Sequence, residues 1–156
     1  MLDQIKKLKK QWNIQISAFS IQINHYHLLF QARTEGQVAK AKQIMHGGTS
    51  YQYGKKYRMK YKELWGTQKT MRVWSEQMYW KVAAYICGNL LKHHEVGTFK
   101  ELESNPFSSY GYFADKCGED FMKEGIYGII DVEESVQGEL DWEEIKQARL
   151  SRYSPV

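Results

Sequence analysis

The sequence predicts an α+β fold in which helices cover a small antiparallel sheet, and three observations carry that reading. Residues 14–30 alternate apolar and polar positions on either side of a short polar break, the pattern of a hairpin. Residues 4–12, 36–46 and 76–93 instead repeat apolar positions every three to four residues, as amphipathic helices do. With 156 residues and 42% hydrophobic content, the chain can bury one real core but is too short for two ordinary domains.

Each element has its own local reason. Asp3 is placed to cap a first helix over 4–12, with Ile5 and Leu8 on the inner stripe. Ile14, Ile16 and Ala18 alternate with polar partners and predict a strand that Phe19 and Ile21 extend. The apolar parity changes between Ala18 and Phe19, so a bulge or an early turn is expected there. Residues 22–24 then turn the chain into a second strand. A helix over 36–46 is expected to break at Gly47-Gly48, with helical continuation through the Tyr- and Lys-rich stretch as the alternative. Residues 67–74 predict a third strand. Met78, Val82, Ile86 and Leu90 form the stripe of a strong helix over 76–93. Asn105-Pro106 marks a turn, and one more helix is expected over 141–153. No internal repeat or low-complexity segment stands out.

Composition narrows the setting. Cys87 and Cys117 form no disulfide framework, the N-terminal MLDQIKKLKK lacks the apolar run of a signal peptide, and no stretch approaches a membrane span. A reducing, cytoplasmic location is therefore expected. The net charge of +4 is unevenly distributed. Residues 1–100 carry 17 Lys+Arg against 5 Asp+Glu, and residues 101–156 carry 5 against 13. A polyanion would bind the basic part. Within it, Lys55, Lys56, Arg58, Lys60 and Lys62 interleave with Tyr57 and Tyr61, a composition suited to phosphate contacts and base stacking; a solvated face is the alternative. The acidic end can be a separate helix or a shield for the basic surface.

Two short constellations carry chemistry. In a strand, side chains alternate faces, so His25 and His27 point to one side while Tyr26, Leu28 and Phe30 point to the other. Helices are expected on the Tyr26 face and chemistry on the histidine face. In a helix, residues four apart stack, which sets Tyr85 over Asn89, with Lys81 one turn earlier and able to contact phosphate. Together these make a metal site with a nucleophile beside it. Taken singly, each has a structural alternative: the histidines as surface residues, Tyr85 as a half-buried core aromatic, Asn89 as a solvated helix residue. His93 lies one further turn beyond Asn89, near the site or in solvent. Cys87 faces about 200° away from Tyr85 at 3.6 residues per turn and reads as a core thiol.

The run Asn24-His25-Tyr26-His27-Leu28-Leu29 resembles the Asn-His-hydrophobic-His-Leu-Leu signature of the single-strand tyrosine transposases, which belong to the HUH nucleases. The REP-associated branch is the nearest in pattern. Tyr85-Ile86-Cys87-Gly88-Asn89 resembles that family's Tyr-Ile-x-x-Asn helix, while Leu64-Trp65-Gly66 and Pro106-Phe107-Ser108-Ser109-Tyr110 resemble two further segments. These matches cover roughly residues 2–113, leaving 114–156 as an acidic, partly helical extension. Departures are Gln22-Ile23 where the family usually has Met-Pro, Leu90 where it has Pro, and Phe107 where it has Trp.

The resemblance implies a ferredoxin-like sandwich with an antiparallel sheet, lacking the family's first strand; either the chain is a natural or engineered short form, or a later segment such as 127–132, or a partner chain in a homodimer, supplies that strand. It also implies that His25, His27 and Asn89 hold a divalent cation, Mg²⁺ or Mn²⁺, with Tyr85 as the nucleophile. Imidazole ligation tilts the choice towards Mn²⁺. The implied activity is cleavage and rejoining of single-stranded or hairpin DNA through a 5′-phosphotyrosine. A Rep- or relaxase-like nicking initiator would use the same residues. A non-catalytic nucleic-acid-binding module of the same descent is the reading from another class.

Overall fold

A computed structural model of the chain describes residues 1–58, 64–66 and 68–130. Lys60, Lys62, Thr67 and the helix expected over 141–153 lie outside the described residues. The chain divides into two compact units, one made of Met1–Ser17 and Phe30–Lys69 and the other of Ala18–Leu29 and Thr70–Val156. The fold is α+β: among the described residues, two antiparallel strands pair as a hairpin and the remaining regular structure is helical.

The first unit contains helix α1 (Leu2–Trp12), α2 (Glu35–Lys42), a π-helical turn (Gln43–Gly48) and α3 (Thr49–Tyr57). Ile5 and Leu8 are buried, as the inner stripe requires. The helix begins at Leu2, so Asp3 sits inside its first turn, where a carboxylate favours the helix dipole without capping it. Gly47-Gly48 does not end the second helix. The chain stays helical through both glycines, and the π-helical turn absorbs an extra residue there. Gly48 has a packing reason, because a Cβ at that position would overlap the side chain of buried Gln4.

The second unit is built on the hairpin and four helices, α4 (Glu76–Lys92), α5 (Phe99–Ser104), α6 (Tyr110–Cys117) and α7 (Glu119–Tyr127). Strand β1 (Gln15–Ile21) is continuous, without the expected bulge. The parity change arises because small or polar residues, Ala18, Ser20 and Gln22, take the buried positions while Phe19 and Ile21 are half-buried on the opposite face. Strand β2 (Tyr26–Gln31) returns after the turn, and the Gln22 N–H donates to the His25 carbonyl at 2.9 Å. That register sets Gln22 opposite His25 and Ser20 opposite His27 on one face.

The same face includes Ala18 and Leu29, which pack into the core formed with Val82, Tyr85, Ile86 and Leu90 of α4. The histidine face is therefore covered by α4, whereas helices were expected on the Tyr26 side.

No third strand forms at residues 68–74. Instead the 107–109 segment joins the outer edge of β1: the Ile21 N–H donates to the Phe107 carbonyl at 2.9 Å, the Ser109 N–H donates to the Phe19 carbonyl at 3.0 Å, and Ser20 bridges Ser108. Among the described residues the sheet has two strands, fewer than the expected sandwich. The segment considered as a replacement strand begins at the end of α7 and passes into turns through residue 130.

Helix α4 begins where Ser75 accepts a hydrogen bond from the Met78 N–H, and its residues from Lys81 to Leu90 are all buried. Gly88 allows α7 to approach, since a Cβ there would lie 2.6 Å from Cγ2 of Ile126. Helix α6 runs across the expected boundary at residue 113, and Met122 and Ile126 of α7 lie in the same core as α4.

Candidate active site

The chemistry-bearing groups of the second unit lie on the hairpin and on α4. Strand alternation turns His25 and His27 to the same face, and their rings meet edge to face at 5.1 Å between centroids. The Nε2 atoms of both rings are buried. Nδ1 of His25 lies 2.6 Å from Oδ1 of Asn24. A carboxamide oxygen only accepts, so this contact suits the tautomer with the hydrogen on Nδ1, in which Nε2 is the nitrogen that would face a cation.

Helix α4 brings its own groups to these rings. The Tyr85 ring stands edge-on to His27 at 5.7 Å between centroids. Tyr85 is 2% exposed, and its hydroxyl is buried with no hydrogen-bond partner among the described residues. Asn89, one turn further along, is fully buried, and its Oδ1 accepts from Nε2 of Gln22. Cys87 points into the core, hydrogen-bonds Ser109, and has its thiol pushed up to about 12 by burial.

His25, His27, Tyr85 and Asn89 thus belong to one region of one unit. Among the described residues, no group of three or more His, Cys, Asp or Glu could hold a metal ion. A cation at the histidine pair would need another kind of donor, and an amide oxygen suits Mg²⁺ or Mn²⁺. The donor set of two imidazoles and a carboxamide oxygen fits such an ion.

Three residues near this site were weakly signalled by the sequence. His93 lies 5.0 Å from His25, ring to ring, and burial is the main cause lowering its pKa, followed by Lys92 and His27. The Lys92 ammonium stands 5.0 Å from the centre of the Tyr85 ring. Gln22 was visible only as a departure from the family pattern, because its contact with Asn89 spans 67 positions of sequence.

Lys81 does not present itself as an exposed phosphate contact. It is buried, and burial lowers the pKa of its ammonium.

The other expected nucleic-acid contacts belong to the first unit. Lys55, Lys56 and Arg58 are exposed on and just after α3, together with Tyr51, Tyr53 and Tyr57. Lys56 lies 5.1 Å from the Tyr57 ring centre, and the Tyr53 and Tyr57 rings are 4.4 Å apart. The tyrosines add stacking surface to the cations, and Tyr51 and Tyr53 lie upstream of the basic run read from sequence.

Among the described residues, no helix is long and apolar enough to cross a membrane. No curated protein and no solved structure gives a significant match. The family model described as "Transposase IS200 like" matches residues 1–89, a span that takes in both histidines, Tyr85 and Asn89. This chain therefore belongs to the IS200-like transposase family.

Proposed function

We propose that the protein cleaves and rejoins single-stranded DNA with Tyr85 as nucleophile and a divalent cation held by His25, His27 and Asn89. The observation that carries the proposal is the placement of Tyr85 beside His27, with His25 adjoining, within a single chain. When bound, Mg²⁺ or Mn²⁺ would act as a Lewis acid on the scissile phosphate and offset charge that grows during attack.

Tyr85 Oη forms a bond to phosphorus as the 3′-oxygen leaves, giving a 5′-phosphotyrosine and a free 3′-OH. The phenol gives up its proton and the leaving oxygen takes one up. Because the ester keeps the energy of the broken phosphodiester, a second 3′-OH can reverse the step and rejoin a strand. Lys92 supports the reading as a cation beside the phenol. The contact between Tyr85 and His27 favours use of the tyrosine with its own chain's histidines, in a monomer or in each half of a homodimer.

DNA is the partner that the family suggests, and the single-stranded or hairpin form is the finer proposal. The α3 cations and tyrosines suit it, pairing phosphate neutralisation with stacking on unpaired bases. The signature around His25 and His27, together with Tyr85 and Asn89, supports placement near the REP-associated branch.

The test is a denaturing gel of the full chain with labelled single-stranded hairpin DNA and Mn²⁺. A covalent adduct is expected that EDTA suppresses and Tyr85→Phe removes, while metal-free DNA binding survives. Binding with no adduct under any metal would overturn the proposal in favour of a non-catalytic module.

A further inference from the structure

We infer that Tyr53 and Tyr57 form a one-sided stacking platform that distinguishes single-stranded DNA from duplex, while Lys55, Lys56 and Arg58 supply an attraction common to both. The inference deepens the proposed function and rests on its reading of α3 as a DNA surface. Tyr53 and Tyr57 stand four residues apart on α3, so the helix sets them on one side, a turn apart. They are 39% and 51% exposed, and their ring centroids lie 4.4 Å apart with a 43° tilt between planes. A base inserted between two rings needs them about 7 Å apart, twice the roughly 3.4 Å spacing of stacked nucleotides. The pair is therefore closed to intercalation and acts as one aromatic surface, which can take a base only on an outward face.

The cations around the pair have a local explanation that the tyrosines lack. Lys55 and Lys56 occupy the last turn of α3, where the helix dipole favours positive charge, and Lys56 also lies 5.1 Å from the centre of the Tyr57 ring. Arg58 follows as the C-cap, in the left-handed conformation at φ 56°. At an exposed helix position tyrosine is a weaker helix former than leucine or lysine, and contact between side chains four apart returns only a little helix stability.

Two exposed rings held together among cations match what an unpaired strand presents, a π face on every base and a phosphate between successive bases. Duplex DNA hides those faces within its stack and offers mainly phosphates and groove edges. Charge on α3 thus attracts either form, and the ring surface rewards only the unpaired one.

The experiment is fluorescence anisotropy of the full chain, without metal, using three labelled probes across a salt series: an unstructured oligodeoxythymidine, the same strand made abasic throughout, and a duplex of equal length. Tyr53→Leu and Tyr57→Leu are each expected to weaken oligodeoxythymidine binding by about tenfold, within the range for loss of one stacked base, with the salt slope unchanged. Because the rings act as one surface, the double variant should lose less than the product of the two single losses. Tyr53→Phe and Tyr57→Phe should bind as wild type does. On the abasic and duplex probes the leucine variants should match wild type. Lys55→Gln, Lys56→Gln and Arg58→Gln together should instead weaken binding of all three probes and flatten the slope.

Leucine variants that hold oligodeoxythymidine as tightly as wild type, while the glutamine variant loses affinity, would overturn the platform and leave α3 an electrostatic surface. An equal loss on all three probes would make the tyrosines structural. No loss in either set would remove α3 from the DNA surface and so overturn the reading on which the platform rests. Leucine is the better helix former, so α3 should persist in these variants; should one not fold, methionine at the same position takes its place.

Discussion

Helices α3 and α4 have nearly opposite environments. In α3 only Ser50 and Gly54 are buried, and apart from Thr49 and Gln52 the remaining residues are tyrosine and lysine. In α4 every residue from Lys81 to Leu90 is buried, including Tyr85 and the amide of Asn89. A reacting group needs a fixed direction, which close packing provides. A nucleic-acid contact needs access to solvent and tolerates mobile side chains, because phosphate attraction is not directional. On the proposed function, the contrast suits α4 to chemistry and α3 to recognition.

The largest expected effect breaks the chemical half of this comparison alone. Tyr85→Phe removes one hydroxyl that makes no hydrogen bond among the described residues, so stability should change little, while adduct formation should fall by at least about a thousandfold. Thermal melting and a denaturing gel on the same sample would check both. Loss of folding together with loss of the adduct would show that the hydroxyl is structural.

Breaking the recognition half should have a different signature. Replacing Lys55, Lys56, Arg58, Lys60 and Lys62 with neutral residues should weaken single-strand binding on the order of tenfold or more, and flatten the salt dependence by about 0.7 for each phosphate no longer neutralised. Fluorescence anisotropy across a salt series measures both. Unchanged affinity and slope would make the run a solvated face.

Glycines sharpen the packing contrast. Gly88→Val should destabilise the fold by about 1–3 kcal/mol, because the added atoms collide with Ile126 where α4 meets α7. Gly47→Ala should instead stabilise by about 0.5–1 kcal/mol, since nothing lies within 4 Å of its Cβ position and the chain there is helical. Chemical denaturation of the two variants should move the midpoint in opposite directions.

The smallest effect concerns His93. Burial lowers its pKa in the folded chain, so the unfolded chain binds the proton more readily and stability should fall as pH drops below the ordinary histidine value of about 6.5. His93→Asn should make the stability profile between pH 7 and 5 shallower. A profile with the same slope would mean that the ring is not desolvated enough to matter.

Much of the hairpin and of α4 was legible because local periodicity decides them. Alternation set His25 and His27 on one face, and helical spacing set Tyr85 beside Asn89. What the pattern missed depends on contacts distant in sequence. Gly47-Gly48 reads as a stop, yet Gln4 of α1 occupies the space that Gly48 leaves and the helix continues. Residues 68–74 read as a strand, but the free edge of β1 is joined by residues 107–109. Helices α5, α6 and α7, with 6, 8 and 9 residues, are shorter than a periodicity window can resolve. Gln22 and Lys92 became visible as neighbours of the site only when the hairpin and α4 were brought together, whereas helical spacing had already offered His93 as a neighbour.

The most direct test of the central claim, that Tyr85 is the nucleophile beside the histidine pair, is to locate the bond it forms. The adduct made with Mn²⁺ and single-stranded hairpin DNA is trimmed with nuclease, digested with protease and sequenced by tandem mass spectrometry. The account predicts a nucleotide mass on Tyr85, lost when His25 and His27 are both replaced with alanine. A nucleotide on Tyr79 instead, or on Tyr85 undiminished without the histidines, would contradict it.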